Sequence, residues 1–203
     1  MCDRIRRAVA LGLSLAIAAA IMVPQRGEAS QTQGRSTRVE HAVAGEIRKI
    51  DHAAKTVVIR TADGVDETFT FTGDTAVRGA SDVTRLADVT AKSVLEGGSA
   101  VVHYTGDGVD KTAVAVDHIG LRTLRTAKGT VTRVDEAGKF VVIKTAAGIE
   151  ETYQLTRDVV IDTLRGLEEA ARATSHTIKK GAEVTVHYSD EGGKKIAYLL
   201  RHV

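Results

Sequence analysis

The chain is written twice. Residues 45 to 119 and 129 to 203 align at a constant offset of 84 residues without a gap. Gly45-Glu-Ile-Arg-Lys-Ile-Asp51 answers to Gly129-Thr-Val-Thr-Arg-Val-Asp135. Lys55-Thr-Val-Val-Ile-Arg-Thr-Ala62 answers to Lys139-Phe-Val-Val-Ile-Lys-Thr-Ala146, and Val102-His-Tyr104 to Val186-His-Tyr188. About 24 identities over roughly 75 positions exceed chance for a gapless match. Each copy is therefore one structural unit, and what both keep is what the fold requires.

Each copy opens with three strand signals. Glu46–Asp51 and Thr130–Asp135 place apolar residues three apart (Ile47 and Ile50; Val131 and Val134), which breaks strict alternation and predicts a bulge or a strong bend. Thr56–Thr61 and Phe140–Thr145 are rich in β-branched residues. Glycine-bearing turns, Ala62-Asp-Gly64 and Ala146-Ala-Gly148, lead to Val65–Thr72 and Ile149–Thr156. In these, Phe69 and Phe71, like Tyr153 and Leu155, are expected to face inward. A helix is expected next. Ser81 caps Val83, Leu86 and Val89 at helical spacing in the first copy, and 163–176 is rich in helix formers in the second. Two strands close each copy, near 99–104 and 111–119, and near 183–188 and 195–203. Val102 and Tyr104 face inward there, as do Val186 and Tyr188, and His103 and His187 face outward. The expected fold is mainly β: two tandem five-stranded OB-like barrels, each β-β-β-α-β-β.

Residues 1–29 read as a signal peptide. Arg4, Arg6 and Arg7 precede an apolar run of about 16 residues ending at Pro24, short for a membrane span. A retained anchor is the alternative. Residues 30–40 read as a flexible lead-in, 41–119 as domain 1, 120–128 as a linker and 129–203 as domain 2. The chain has 28 Lys and Arg and 26 Asp and Glu. The first 29 residues hold four of the bases and two of the acids, so the remainder has 24 of each. Zero net charge gives no bulk attraction to nucleic acid or anionic lipid. Cys2, Met1 and Met22 all lie in the leader, so export brings no disulfide framework.

His41-Ala-Val-Ala-Gly-Glu-Ile-Arg-Lys-Ile-Asp51 and Lys55-Thr-Val-Val-Ile59 resemble the opening of the CusF-like family of periplasmic copper-binding OB-folds. They also resemble exported bacterial OB-like domains of uncharacterised function that share Gly-x-Val-x-x-Ile-Asp. The resemblance implies the barrel. The copper family's His, Met and Trp ligands on strands two and three are absent here: Arg60 to Phe71 contains none of them. Soft Cu(I) needs sulfur ligands, so the copper site is not carried over and no cofactor is expected.

The candidate ligand-binding residues are the repeated histidines, His103 with His187 and His118 with His202. They are read either as surface imidazoles for a ligand or metal, or as polar residues tolerated on an outer strand face; their spacing gives no ready ligand pair. Asp51 and Asp135, with Lys55 and Lys139, flank the first turn. Glu67 and Glu151 stand with no visible catalytic partner. No Gly-x-Ser-x-Gly, His-Glu-x-x-His or phosphate loop occurs. The predicted reading is an exported, non-catalytic binding module, periplasmic or secreted. Its partner is an envelope protein, peptide or glycan. The alternatives are metal handling through the histidines and a structural envelope role.

Overall fold

The computed structural model describes residues 40–79, 84–88, 95–135, 139–163, 165–169 and 178–203. The expected signal peptide and most of the lead-in lie outside these residues. Strand β1 spans Glu40–Asp51, β2 Thr56–Thr61, β3 Asp66–Arg78, β4 Thr84–Arg85, β5 Ser99–Thr105 and β6 Thr112–Gly120. The second copy supplies β7 Arg125–Val134, β8 Phe140–Thr145, β9 Glu150–Thr163, β10 Gly166–Glu169, β11 Glu183–Glu191 and β12 Lys194–His202.

Each copy closes into a five-stranded barrel. Around the first, the order is β1, β2, β3, β6, β5 and back to β1; around the second it is β7, β8, β9, β12, β11 and back to β7. The β3–β6 and β9–β12 contacts are parallel and the other pairs antiparallel. This is the strand order of an OB-like barrel, and closure removes most free edges. Phe69, Phe71, Ile47, Ile59 and Val102 fill the first barrel, and Tyr153, Leu155, Val131, Ile143 and Val186 the second. The three-residue spacing is a bulge in both copies. The β1–β2 register slips between Ile47 and Lys49, so Ile47 and Ile50 both point inward. The β7–β8 register slips at the equivalent place, between Val131 and Arg133.

Several expectations are corrected. β1 begins at Glu40, six residues ahead of the predicted start, and its first half pairs with β5 while its second half pairs with β2. The predicted helices are not α-helical where the structure describes them. Thr84–Arg85 pair with β3, and Leu86–Asp88 form a short 3-10 turn whose Leu86 is fully buried. In the second copy β9 runs on to Thr163 and folds back as β10. The β-branched run Val159-Val160-Ile161 favours extension, and Gly166 turns the chain at a φ of 109° while Thr163 Oγ1 donates to its carbonyl at 2.8 Å. Residues 89–94 and 170–177 lie outside the described set.

The expected linker over 120–128 is shorter. β6 ends at Gly120 and β7 starts at Arg125, which leaves Leu121 to Leu124 as the connection. Ser99 Oγ donates to the Arg122 carbonyl at 2.5 Å, and Arg122 Nε lies 3.1 Å from Glu191 Oε1. The barrels share a third apolar cluster: Ala42, Ala44, Val101 and Ile119 from the first, Val160 and Leu199 from the second, with Leu124 of the connection. Val101 belongs to the face predicted to be outward. It is buried because the second barrel covers it.

Candidate functional site

The four candidate histidines stand in three kinds of setting. His103, on β5, donates from Nε2 to Asp117 Oδ2 of β6 at 2.6 Å, and its side chain is only 12% exposed. His187, its counterpart on β11, has no such acid, because the residue equivalent to Asp117 is Arg201. Its Nδ1 hydrogen-bonds Thr126 Oγ1 at 3.3 Å. Burial, with the positive charge of Arg201 adding to it, pushes its pKa down to about 4, so the imidazole is neutral at pH 7. His118 is shifted down by burial. Its Nε2 is without a hydrogen-bond partner among the described residues and lies against Gly98, where a side chain has no room. His202 Nδ1 is likewise buried and without a partner among the described residues. His103 and His187 are thus largely shielded positions, which corrects the expectation of surface imidazoles. Among the described residues no three His, Cys, Asp or Glu side chains converge on one point.

The shared hairpin residues have local duties. Asp51 Oδ1 accepts the Ala54 N–H at 2.9 Å and Asp135 Oδ2 the Lys139 N–H at 3.2 Å, closing the first turn of each barrel. Asp51 pairs with Lys49 at 2.9 Å and not with Lys55. Those turn hydrogen bonds, the Ala54 N–H first, hold the Asp51 carboxyl below its usual range.

A repeated constellation does assemble at one rim of each barrel. Lys111 Nζ meets Glu67 Oε2 at 2.5 Å and sits 5.5 Å from the Phe69 ring and 5.2 Å from the Tyr104 ring. In the second copy Lys195 meets Glu151 Oε1 at 2.5 Å and sits 5.4 Å from Tyr153 and 5.3 Å from Tyr188. Each lysine is a cation laid on two aromatic faces and neutralised by one carboxylate. Tyr153 also donates its hydroxyl to Glu151. Hydrogen bonds from Lys195 and Tyr153 draw the Glu151 pKa down, while burial and the Glu151 charge drive that of Tyr153 up. The lysines escaped the sequence reading, although the repeat alignment pairs Lys111 with Lys195 as it pairs Glu67 with Glu151. The missed signal was that all four members recur together.

Beside the second rim lies a groove of about 650 Å³. Its apolar floor is half-buried Phe140, at the start of β8, and exposed Ile149, before β9; Lys139, Lys194 and Lys195 border it together with Glu150 and Glu151. Arg133 stacks on the Phe140 ring at 5.0 Å and fixes its face. In the first barrel the positions of Phe140 and Lys194 are Thr56 and Asp110, so the aromatic floor is absent and one charge is reversed. The two barrels offer different chemistry at the same place.

The joint between the barrels is polar at its centre. Among the described residues no strand pairs with the outward edge of β1 at Ala42; its N–H donates to Asp162 Oδ2 at 3.3 Å and its carbonyl accepts from Arg201. His41 Nδ1 and Arg201 Nε also donate to the Asp162 carboxylate, at 3.1 and 3.3 Å. Asp162 is 4% exposed, and three donors offset the cost of burying its charge. Neither Asp162 nor Arg201 could be read from the repeat, because the first copy carries Arg78 and Asp117 at these positions, base and acid exchanged.

No protein family matches the chain, and no curated protein does. Solved structures of CusF are among those similar to this chain. A crystal structure of CusF with Ag(I) is 16% identical over 40% of this chain and 99% of that chain, with a TM-score of 0.30. Apo-CusF from Escherichia coli is 16% identical over 40% of this chain and 89% of that one, with a TM-score of 0.30. A second Ag(I) form from Escherichia coli is 16% identical over 40% and 94%, with a TM-score of 0.31. The barrel assignment rests on the strand pairings of this chain, and no ligand is carried across from those structures.

Proposed function

We propose that this chain is an exported, non-catalytic binding module whose second barrel takes an envelope protein, peptide or glycan in the groove floored by Phe140 and Ile149. The observation that carries the reading is the groove itself, an open site with Phe140 and Ile149 in its floor and lysines and glutamates along its border. Ligand sites combine an apolar floor with a few placed polar groups in this way. An aromatic face serves the apolar face of a sugar ring or the side chain of an extended peptide alike, and the surrounding Lys and Glu supply hydrogen bonds. The first barrel lacks this floor and serves as the platform that orients the second.

A glycan array and a pulldown from envelope extract test the reading, each run with the wild-type chain and with Phe140→Ala. The expected result is a ligand retained by the wild type and weakened about tenfold or more by Phe140→Ala, the loss of one aromatic hot spot. Two blank experiments with the wild type, or a ligand indifferent to Phe140→Ala, would remove the groove from consideration.

A further inference from the structure

Each barrel carries two halves of a joint: a free edge at the start of its first strand, and an acid–base pair across its parallel strands. Inside the chain one edge and one pair are joined, the β1 edge at Ala42 with Asp162 and Arg201. That leaves one edge and one pair over. The remaining edge is Arg125 to Lys128. β7 pairs with β8 only from Gly129 onward, and among the described residues no strand lies on that side of Arg125–Lys128. Thr126 holds the place of Ala42, and Arg125 the place of His41. The remaining pair is Arg78 and Asp117, opposite each other in the parallel β3–β6 register as Asp162 and Arg201 are in β9–β12.

The first-barrel pair is incompletely satisfied: His103 Nε2 holds Asp117 Oδ2 at 2.6 Å, and only the other carboxylate oxygen is open. Arg78 Nη1 is 3.6 Å from Asp117 Oδ1, beyond hydrogen-bonding length, and that oxygen is buried with no hydrogen-bond partner among the described residues. The Arg78 side chain is 53% exposed, so it is free to swing. Around the pair, Val114 is exposed where the joint has Tyr198, and half-buried Ala76 stands where it has Val160; Ala115, at the place of Leu199, is already buried within its own chain. One molecule thus carries both an unpaired strand edge and an incompletely satisfied acid–base pair, which complement each other between two copies.

We propose that the Arg125–Lys128 edge of one copy docks on the Arg78–Asp117 face of a second copy, so that chains associate head to tail. The edge N–H of Thr126 donates to Asp117, its carbonyl accepts from Arg78, and Arg125 reaches the carboxylate oxygen that now has no partner, as His41 does on Asp162. Drawing Arg78 to the incoming carbonyl uncovers that oxygen. Acid and base are exchanged between the two strands relative to the internal joint, so the incoming edge runs in the reverse direction. The contact is heterologous, with different surfaces on the two sides, and it repeats from chain to chain without a closing symmetry. Ala76 in place of Val160, with Ala115 buried in its own chain, makes it shallower than the internal joint, and it is correspondingly weaker.

Sedimentation velocity of the chain without its leader, from about 10 µM to about 1 mM, is the test, a range suited to weak contacts. Two exposed-site variants block the halves separately: Val114→Arg places a cation on the face opposite the basic edge, and Arg125→Glu reverses the edge charge. The expected result is a mean mass that rises with concentration for the wild type, and monomers for each variant alone. A mixture of the two variants should form a 1:1 dimer and stop there, because one partner keeps its edge and the other its face. Phe140→Ala should associate as the wild type does, which separates this contact from the groove. A wild type that stays monomeric throughout, a variant that associates unimpaired, or a mixture that stays monomeric would overturn the proposal.

Discussion

Gly45 and Gly129 stand in the middle of strands, where glycine is ordinarily a weak choice. The reason is proximity. A Cβ on Gly45 would overlap the Arg60 carbonyl oxygen, and one on Gly129 would lie 2.5 Å from the Lys144 carbonyl oxygen. At these points one strand pairs on both sides, Gly45 with Thr61 on β2 and with Ala100 on β5. The chain coils sharply enough there that backbone meets backbone. A carbonyl cannot rotate aside as a flexible side chain can, so the strands must part. Gly45→Ala and Gly129→Ala should each lose about 1–3 kcal/mol in urea unfolding, the usual range for overpacking. Gly73 is exposed, has nothing within 4 Å of a Cβ and needs no positive φ. Gly73→Ala should therefore stay within about 0.5 kcal/mol of the wild type. Equal losses at all three positions would show that helical or strand propensity, and not close approach, sets the cost.

At the scale of the element, each barrel rim is closed by a lysine bonded to a carboxylate and laid on two aromatic rings. Lys195→Met keeps the methylenes on Tyr153 and Tyr188 but removes the charge, leaving Glu151 with Tyr153 alone. The expected loss is about 1.5–3 kcal/mol at pH 7, the range for hydrogen bonds to charged groups, and Lys111→Met should lose a similar amount through Glu67. The acid side of the stability profile separates charge from packing. Because Lys195 holds the Glu151 pKa below its ordinary value, that stabilisation is complete above about pH 4.3, the unfolded value. It fades as pH falls through the lower folded value. Lys195→Met should therefore flatten stability against pH on the acid side of about pH 4.3. An unchanged slope would assign the lysine to packing alone. These rims also mark what the sequence disclosed. Strands β2 and β8, the bulges, and the inward Phe69, Phe71, Tyr153 and Leu155 were legible because period-two burial is a local property. The extension of β9 past Thr156 carried a local signal in Val159-Val160-Ile161 that went unread, and the fold-back at Gly166 was not legible, because the helix formers Leu167, Glu168 and Glu169 are held extended by pairing with β9.

At the scale of the molecule, two similar barrels have diverged where they meet. Arg78 and Asp117 became Asp162 and Arg201 in the second copy, or the reverse, and Ala76, Val114 and Ala115 correspond to Val160, Tyr198 and Leu199. Larger apolar groups in the second copy fill the joint, and the exchanged charges hold Ala42. No single-copy pattern reveals this, since the groups that bind the barrels together are those the copies do not share. Leu199 is fully buried in the joint and lies outside both barrel interiors. Replacing it tests whether the joint couples the two units. In the wild type, amide signals of Val102 in the first barrel and Val186 in the second should vanish at one urea concentration, because losing either barrel exposes the shared cluster and strands Asp162. Leu199→Asp places a second acid beside Asp162 in a dry contact, where an unpaired charge costs several kcal/mol. The barrels should then melt at separate midpoints while each keeps its own strand pairing. Midpoints already apart in the wild type would show that the joint positions the barrels without stabilising them. Coincident midpoints in Leu199→Asp would place the coupling in the four-residue connection, where Ser99 and Glu191 hold Arg122.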